Sequence, residues 1–112
     1  MYLEIIVDHP DREGELRALY AWLLADERLA STGPELASSR PIGDGEMGPG
    51  LDLIQLGIDG GLGIANLALA VATWRRSRVE PPSVELRRGE VSVVLRGADD
   101  DDVRRIIAVL DQ

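Results

Sequence analysis

The sequence predicts an α+β fold in which a small sheet of at least three strands is covered on one face by helices. Two observations lead to this prediction. Alternating runs of β-forming residues occur at the start of the chain and around residues 83–95. Apolar residues at helical spacing recur in segments between and after those runs. The predicted order is strand, helix, long loop, broken helix, strand, strand, helix, which favours a layered fold.

Size and composition limit what such a chain can do. Its 112 residues suffice for one core, so we expect residues 1–112 to form a single domain. The net charge of -8 argues against nucleic-acid binding, because such binding needs a positive face. The chain lacks cysteine, and no basic segment precedes its apolar start as in a secretory signal. We therefore expect a cytoplasmic protein.

The first strand and the first helix have the clearest patterns. Residues 2–7 alternate and place three apolar side chains on one face: Leu3, Ile5 and Val7. A helix is predicted from about residue 12 to residue 26, because apolar residues recur there at helical spacing: Leu16, Leu19, Tyr20 and Leu23. The alternation fits a central strand as well as an edge strand, so the strand order stays open.

Residues 27–50 lack this periodicity and are predicted to form a long loop. Glycine and proline interrupt the segment, and only a short extended piece near residues 36–42 fits a strand. Loops of this length are uncommon inside compact domains unless they have a function. We therefore expect a partner to contact this loop, in particular residues 43–50.

Residues 51–76 are predicted to form a helix that breaks near residues 59–61. After the break the helix is apolar on nearly every side, and it ends at Trp74 and three arginines. Such a helix is either central in the core or covered by another chain. Because a small domain cannot easily cover it on all sides, part of its surface is expected to be an interface.

Membrane insertion and nucleotide binding would also account for an apolar run that contains glycines. A helix that spans a membrane needs about 20 uncharged residues, whereas the uncharged part of this run covers only residues 60–74. Gly61 and Gly63 match part of the dinucleotide-binding fingerprint, but Asn66 stands at the third glycine position. The pattern also predicts no strand before these glycines. We expect neither a membrane span nor a bound nucleotide.

The last third of the chain is predicted to form a hairpin followed by a helix. Residues 83–87 and 91–95 alternate around an Arg-Gly-Glu turn, and five side chains should face inward: Val84, Leu86, Val91, Val93 and Leu95. The final helix repeats apolar residues at helical spacing: Val103, Ile106, Ile107 and Leu110.

Two clusters of polar residues are candidates for metal binding or catalysis. Asp8, His9 and Asp11 could bind a divalent metal or act as an acid and a base, although turns and helix caps favour the same residue types. Residues 99–102 are four aspartates, which we expect to form a cap and a solvated first helical turn. Consecutive helical positions diverge, so these carboxylates cannot converge on one ion. We predict no enzyme activity, cofactor or metal.

The chain also resembles a known family. The segment GEMG at residues 45–48, the apolar helix with its WRRSR exit at residues 74–78, the hairpin and the last helix resemble the effector-associated constant component family. The resemblance implies a small bacterial protein of a conflict or defence system, encoded beside variable effectors such as caspase-like or trypsin-like peptidases. It also implies an accessory role without catalysis. The Arg-Gly-Glu turn and Asp59 depart from the family pattern.

These observations combine into one hypothesis, a non-catalytic adaptor or regulatory component that binds an effector protein encoded nearby, or a second copy of itself. Helix residues 57–74, the loop and a sheet edge should contact the partner, together with an outer apolar patch of Tyr2, Ile6 and Val94. The residues predicted to bind are Glu46, Met47, Leu67, Trp74, Arg75 and Arg78. The alternatives are an enzyme that uses Asp8, His9 and Asp11, and a membrane-associated protein that uses residues 57–78.

Overall fold

Strands and helices are interspersed along the chain and pack in layers. The computed structural model describes residues 2–37, 52–58, 60–96 and 101–110. These residues form five strands and four helices, which confirms the α+β class. In chain order the elements are β1 (Tyr2–Asp8), α1 (Arg12–Ala25), α2 (Glu27–Ala30), β2 (Glu35–Ala37), β3 (Leu53–Gly57), α3 (Gly60–Ser77), β4 (Ser83–Arg88), β5 (Val91–Leu95) and α4 (Asp102–Leu110).

The sheet has the order β2-β3-β1-β4-β5, and neighbouring strands are antiparallel. The first strand is central, with Ile5 opposite Ile54 on one side and Leu86 on the other. Alternate residues of the strands are buried on one face, as the pattern predicts for β1: Leu3, Ile5, Val7, Ile54, Leu56, Val84, Leu86, Val93 and Leu95. Leucines and isoleucines of the long helices join the same core, so the helices cover this face.

Strand β3 corrects the prediction of a helix across residues 51–58. Leu53, Ile54 and Leu56 are buried, and Gln55 is exposed. A short, nearly continuous apolar run fits a buried strand and a buried helix equally well. Here β3 lies between β2 and β1, and both neighbours pair with its backbone. Leu53 is buried on the face opposite Ile54, which explains why the run does not alternate.

Residues 27–37 are also more regular than the predicted loop. Asp26 begins the short helix α2, because its Oδ1 accepts a hydrogen bond from the Arg28 backbone N–H at 3.0 Å. Strand β2 then pairs with β3 and overlaps the extended piece expected near residues 36–42. The rest of the predicted loop, including residues 43–50 with Glu46 and Met47, lies outside the described residues.

The predicted break near residues 59–61 is where α3 begins. Gly60 has a φ of 76°, a left-handed conformation that glycine adopts without strain. A Cβ on Gly63 would lie 2.5 Å from Ile58 Cγ2, so a glycine here lets the first turn approach the residue after β3. Gly60 and Gly63 therefore serve backbone geometry and packing.

A strand thus does precede the glycines, contrary to our prediction. Two observations still separate this segment from the dinucleotide-binding fingerprint. Strand β3 is antiparallel to both of its neighbours, whereas the fingerprint belongs to a parallel βαβ unit. Asn66 also occupies the third glycine position.

The hairpin and the last helix agree with their predicted positions. Arg88 pairs with Val91 across a two-residue turn in which Gly89 has a φ of 60°. Val91 lies at the end of the predicted inward face but is 41% exposed. In α4, Ile106 and Leu110 are fully buried, and Val103 and Ile107 are partly buried against the core.

Candidate partner-binding surface

Helices α1 and α3 run antiparallel, with α2 continuing the direction of the chain past the end of α1. Side-chain contacts tie this layer together at both ends and in the middle: Glu15 to Arg78, Trp22 to Ala70, and Arg28 to Asn66. The middle contact is a hydrogen bond of 3.1 Å from Trp22 Nε1–H to the Ala70 carbonyl. This bond fixes the indole ring between the two helices.

Helix α3 has one face in the core and one face outside it. The buried side chains are Ile64, Leu67, Ala68, Ala70, Val71, Ala72, Trp74 and Arg75. The opposite stripe, spaced three or four residues apart, is Leu62, Asn66, Leu69, Thr73 and Arg76. Leu62 and Leu69 in this stripe are 77% and 56% exposed. The helix is therefore central in the core and also presents apolar side chains at the surface.

A groove of about 630 Å³ lies between the end of α1, α2 and the outer stripe of α3. Trp22 and Leu69 supply its large apolar side chains, and Ala25 and Ala70 contribute only methyl groups. The remaining lining is polar: Asp26, Glu27, Arg28, Asn66 and Thr73. We call these nine residues the α1–α3 groove. Apolar centres with polar surroundings are typical of surfaces that bind other proteins.

Three of the residues predicted to bind a partner lie inside the protein. Leu67 is completely buried, and Trp74 and Arg75 are each 2% exposed. The guanidinium of Arg78 lies 5.4 Å from the Trp74 ring centroid, within range of a cation–π interaction. Of the predicted binding residues that the structure describes, only Arg78 reaches the surface, and it is paired with Glu15. The apolar side chains that α3 does expose come from other positions.

Arg78 and Glu15 form a two-pronged ion pair that joins the end of α3 to α1. Arg78 Nε donates to Glu15 Oε2 at 2.9 Å, and Nη2 donates to Oε1 at 2.6 Å. These hydrogen bonds from Arg78 to Glu15 raise the pKa of Arg78 above its ordinary value. The ion pair therefore contributes its full stability to the fold at pH values below the ordinary pKa of arginine. That contribution is lost as the pH rises through the raised pKa of Arg78. Arg78 therefore stays charged across the neutral range.

The sequence pattern did not predict the buried ion pair between Arg75 and Asp102. Arg75 Nη1 lies 2.7 Å from Asp102 Oδ2, and Arg75 Nε donates to the Pro82 carbonyl at 3.0 Å. Both side chains are almost completely buried, whereas we predicted a solvated Asp102. The spacing of both residues along their helices could have predicted that they are buried. Asp102 precedes Ile106 and Leu110 on one face of α4, and Arg75 follows Val71 on the buried face of α3.

The cluster Asp8, His9 and Asp11 is used in the turn before α1. His9 Nδ1 accepts a hydrogen bond from the Asp11 backbone N–H at 2.9 Å. Asp11 Oδ1 accepts one from the Gly14 backbone N–H at 3.3 Å and so caps the helix. Within the part of the chain that the structure describes, no three acidic or histidine side chains are grouped to hold a metal ion.

The mildly apolar patch predicted on the outer sheet face, Tyr2, Ile6 and Val94, has a charged residue among its members. Glu85 lies between Ile6 and Val94 in the strand register. At the β5 edge, Arg105 Nη2 donates to the Val94 carbonyl at 3.0 Å. Tyr2 is 80% exposed but lies at the end of β1.

In residues 2–37, 52–58, 60–96 and 101–110, no helix has the length and apolar character needed to cross a membrane.

Comparisons with known proteins add an independent observation. No curated protein and no solved structure matches the chain. A family model described as Effector Associated Constant Component 1 matches residues 8–111. This match covers nearly the whole sequence and confirms the resemblance, so the chain belongs to the Effector Associated Constant Component 1 family.

Proposed function

We propose that this protein is a non-catalytic accessory component that binds an effector protein through the α1–α3 groove. The family description supports an association with an effector. The single observation that supports the site is the exposure of Leu69 and Trp22, at 56% and 38%, in one groove that two alanines and five polar residues also line. A caspase-like or trypsin-like peptidase of a bacterial conflict system is the type of effector that the resemblance implies.

The groove has the features of an efficient binding surface. Burying a leucine side chain completely is worth about 1.5 to 3 kcal/mol, and tryptophan is enriched among the residues that dominate binding energy. The bond from Trp22 to the Ala70 carbonyl holds the indole in place before a partner arrives. Binding then orders fewer side chains, which reduces its entropic cost.

The absence of a catalytic role is supported by how the reactive side chains are used. His9 and Asp11 organise the turn and cap of α1. Asp102 is held by Arg75 inside the core. These side chains have structural partners, which favours an accessory role over the metal-dependent or acid–base enzyme.

Light scattering coupled to size exclusion tests this function, with the protein alone and mixed with the product of the adjacent gene. The unmodified protein should form a complex with that product. Leu69→Glu should weaken the complex at least about tenfold, because it places a charge in the apolar part of the groove. Val79→Glu is the matched control, since Val79 is fully exposed and lies outside the groove.

Three results would contradict the proposal. The unmodified protein could form no complex, or both substitutions could weaken it equally, which would indicate a general effect of added charge. A dimer of the protein alone that Leu69→Glu dissociates would replace the effector with a second copy of this chain. Circular dichroism of each variant checks that the fold is retained.

A further inference from the structure

We propose that the α1–α3 groove takes an amphipathic helix of the effector, aligned parallel to α3 and carrying basic residues near its N-terminus. The inference rests on the proposed function, because it names the kind of segment that occupies the same groove.

Backbone chemistry favours a helix over an extended strand. The sides of the groove are helices, whose interior N–H and C=O groups already bond within each helix. An extended segment would find few backbone partners there, and its own polar groups would lose water. A helix satisfies its backbone internally and needs only side-chain contacts. Trp22 and Leu69, with the methyl groups of Ala25 and Ala70, offer such contacts to aliphatic side chains.

The length of the α3 surface beside the groove sets the length of the docked segment. Asn66, Leu69 and Thr73 line the groove, and the outer stripe continues past it to Arg76. Ten residues of helix rise about 15 Å, which is close to three turns. A partner helix of that length presents aliphatic side chains at positions i, i+3 or i+4, and i+7.

Charges in the groove and at the far end of the outer stripe give the docked helix a direction. Asp26 and Glu27 lie at the α2 end, where Arg28 directs its guanidinium towards Asn66. Arg76 is exposed at the opposite end of the outer stripe. The N-terminus of a helix is its positive end and the C-terminus is its negative end. The favourable alignment puts the partner's N-terminus beside Glu27 and its C-terminus beside Arg76, which is parallel to α3.

The net charge of -8 acts in the same sense. A strongly acidic protein attracts a basic partner during diffusional encounter, and the attraction weakens as salt is added. Basic residues near the N-terminus of the docked helix would meet Glu27 at the rim. This charge complementarity identifies the segment as a basic amphipathic helix.

Reversing the charge of Glu27 or Arg76 tests whether these two charges contribute to binding. Glu27→Arg and Arg76→Glu should each weaken binding of the adjacent-gene product by about threefold to tenfold at low salt, with a smaller effect at high salt. Glu90→Arg is the matched control, since Glu90 is exposed in the β4–β5 turn. On a logarithmic scale, the effect of Glu90→Arg on the binding affinity should be less than half that of Glu27→Arg. Equal effects of Glu27→Arg and Glu90→Arg would overturn the role of the groove charges.

Site-specific cross-linking tests the helix and its direction. The chain contains no cysteine, so Glu27→Cys or Arg76→Cys creates a unique attachment point for a photoreactive label. Both labels should cross-link to one helical segment of the effector, at positions about ten residues apart. The position reached from residue 27 should be the more N-terminal one.

The outcomes separate the inference from the proposed function. The reverse order of the cross-links, or cross-links in an extended or discontinuous segment, would overturn the inference while a complex sensitive to Leu69→Glu upholds the groove. If the unmodified protein binds no effector, both proposals fail.

Discussion

At the scale of single residues, the buried ion pair of Arg75 and Asp102 is expected to stabilise the fold. It joins α3 to α4, and Arg75 also bonds to the Pro82 carbonyl ahead of β4. Removing one member of a buried ion pair leaves the other charge without compensation, at a cost of about 3 to 5 kcal/mol. Asp102→Ala should therefore lower the free energy of unfolding by that amount, measured by urea denaturation.

A double substitution separates the charge from the packing. Replacing Arg75 and Asp102 together, as Arg75→Met with Asp102→Leu, removes both buried charges and should recover much of the lost stability. If Asp102→Ala cost less than about 1 kcal/mol, the carboxylate would be accessible to solvent, in conflict with its burial here.

Gly63 carries a prediction of a different kind. Alanine favours a helix over glycine by about 1 kcal/mol, but the added Cβ would lie 2.5 Å from Ile58 Cγ2. Overpacking of this kind costs about 1 to 3 kcal/mol, so Gly63→Ala should lower the melting temperature. In an Ile58→Ala background the methyl group is gone, and the same change should be neutral or stabilising. Stabilisation in the unmodified background would contradict the close packing.

At the scale of elements, α3 combines a buried face with an exposed face on one apolar helix. Leu67 is fully buried, whereas Leu69, two residues later, is 56% exposed. Leu67→Glu should unfold the protein, because it buries a charge among apolar side chains. Leu69→Glu should retain the far-ultraviolet circular dichroism and melt within a few degrees of the unmodified protein. Similar melting temperatures for the two variants would contradict the assigned faces.

The elements that sequence analysis predicted well have one polar face. Strand β1, helix α1, the hairpin and helix α4 show a clear period of two or 3.6 residues, and each was predicted within a few residues of its bounds. Strand β3 buries Leu53 on the face opposite Ile54 and Leu56, and so shows no such period. Its apolar run merges with that of α3 in the sequence, which is why a single broken helix was predicted there.

At the scale of the whole molecule, the sequence pattern indicated the helix that lines the proposed groove, but the side chains it named on that helix lie mostly in the core. A helix that is apolar all round does not reveal which of its sides the fold covers. That depends on α1, whose Trp22 reaches α3 at Ala70 from a distant part of the sequence. Leu67 and Trp74 consequently lie in the core, whereas Leu69 faces the groove. Periodicity cannot supply this contact between distant segments.

The measurement that tests the groove most directly is fluorine NMR of the protein labelled with fluorotryptophan. The chain has two tryptophans, and Trp22→Phe assigns their signals. Trp22 lines the groove at 38% exposure, whereas Trp74 is 2% exposed in the core. Adding the unlabelled product of the adjacent gene should shift or broaden the Trp22 signal and leave that of Trp74 unchanged. A complex that forms without changing the Trp22 signal would contradict binding at the α1–α3 groove.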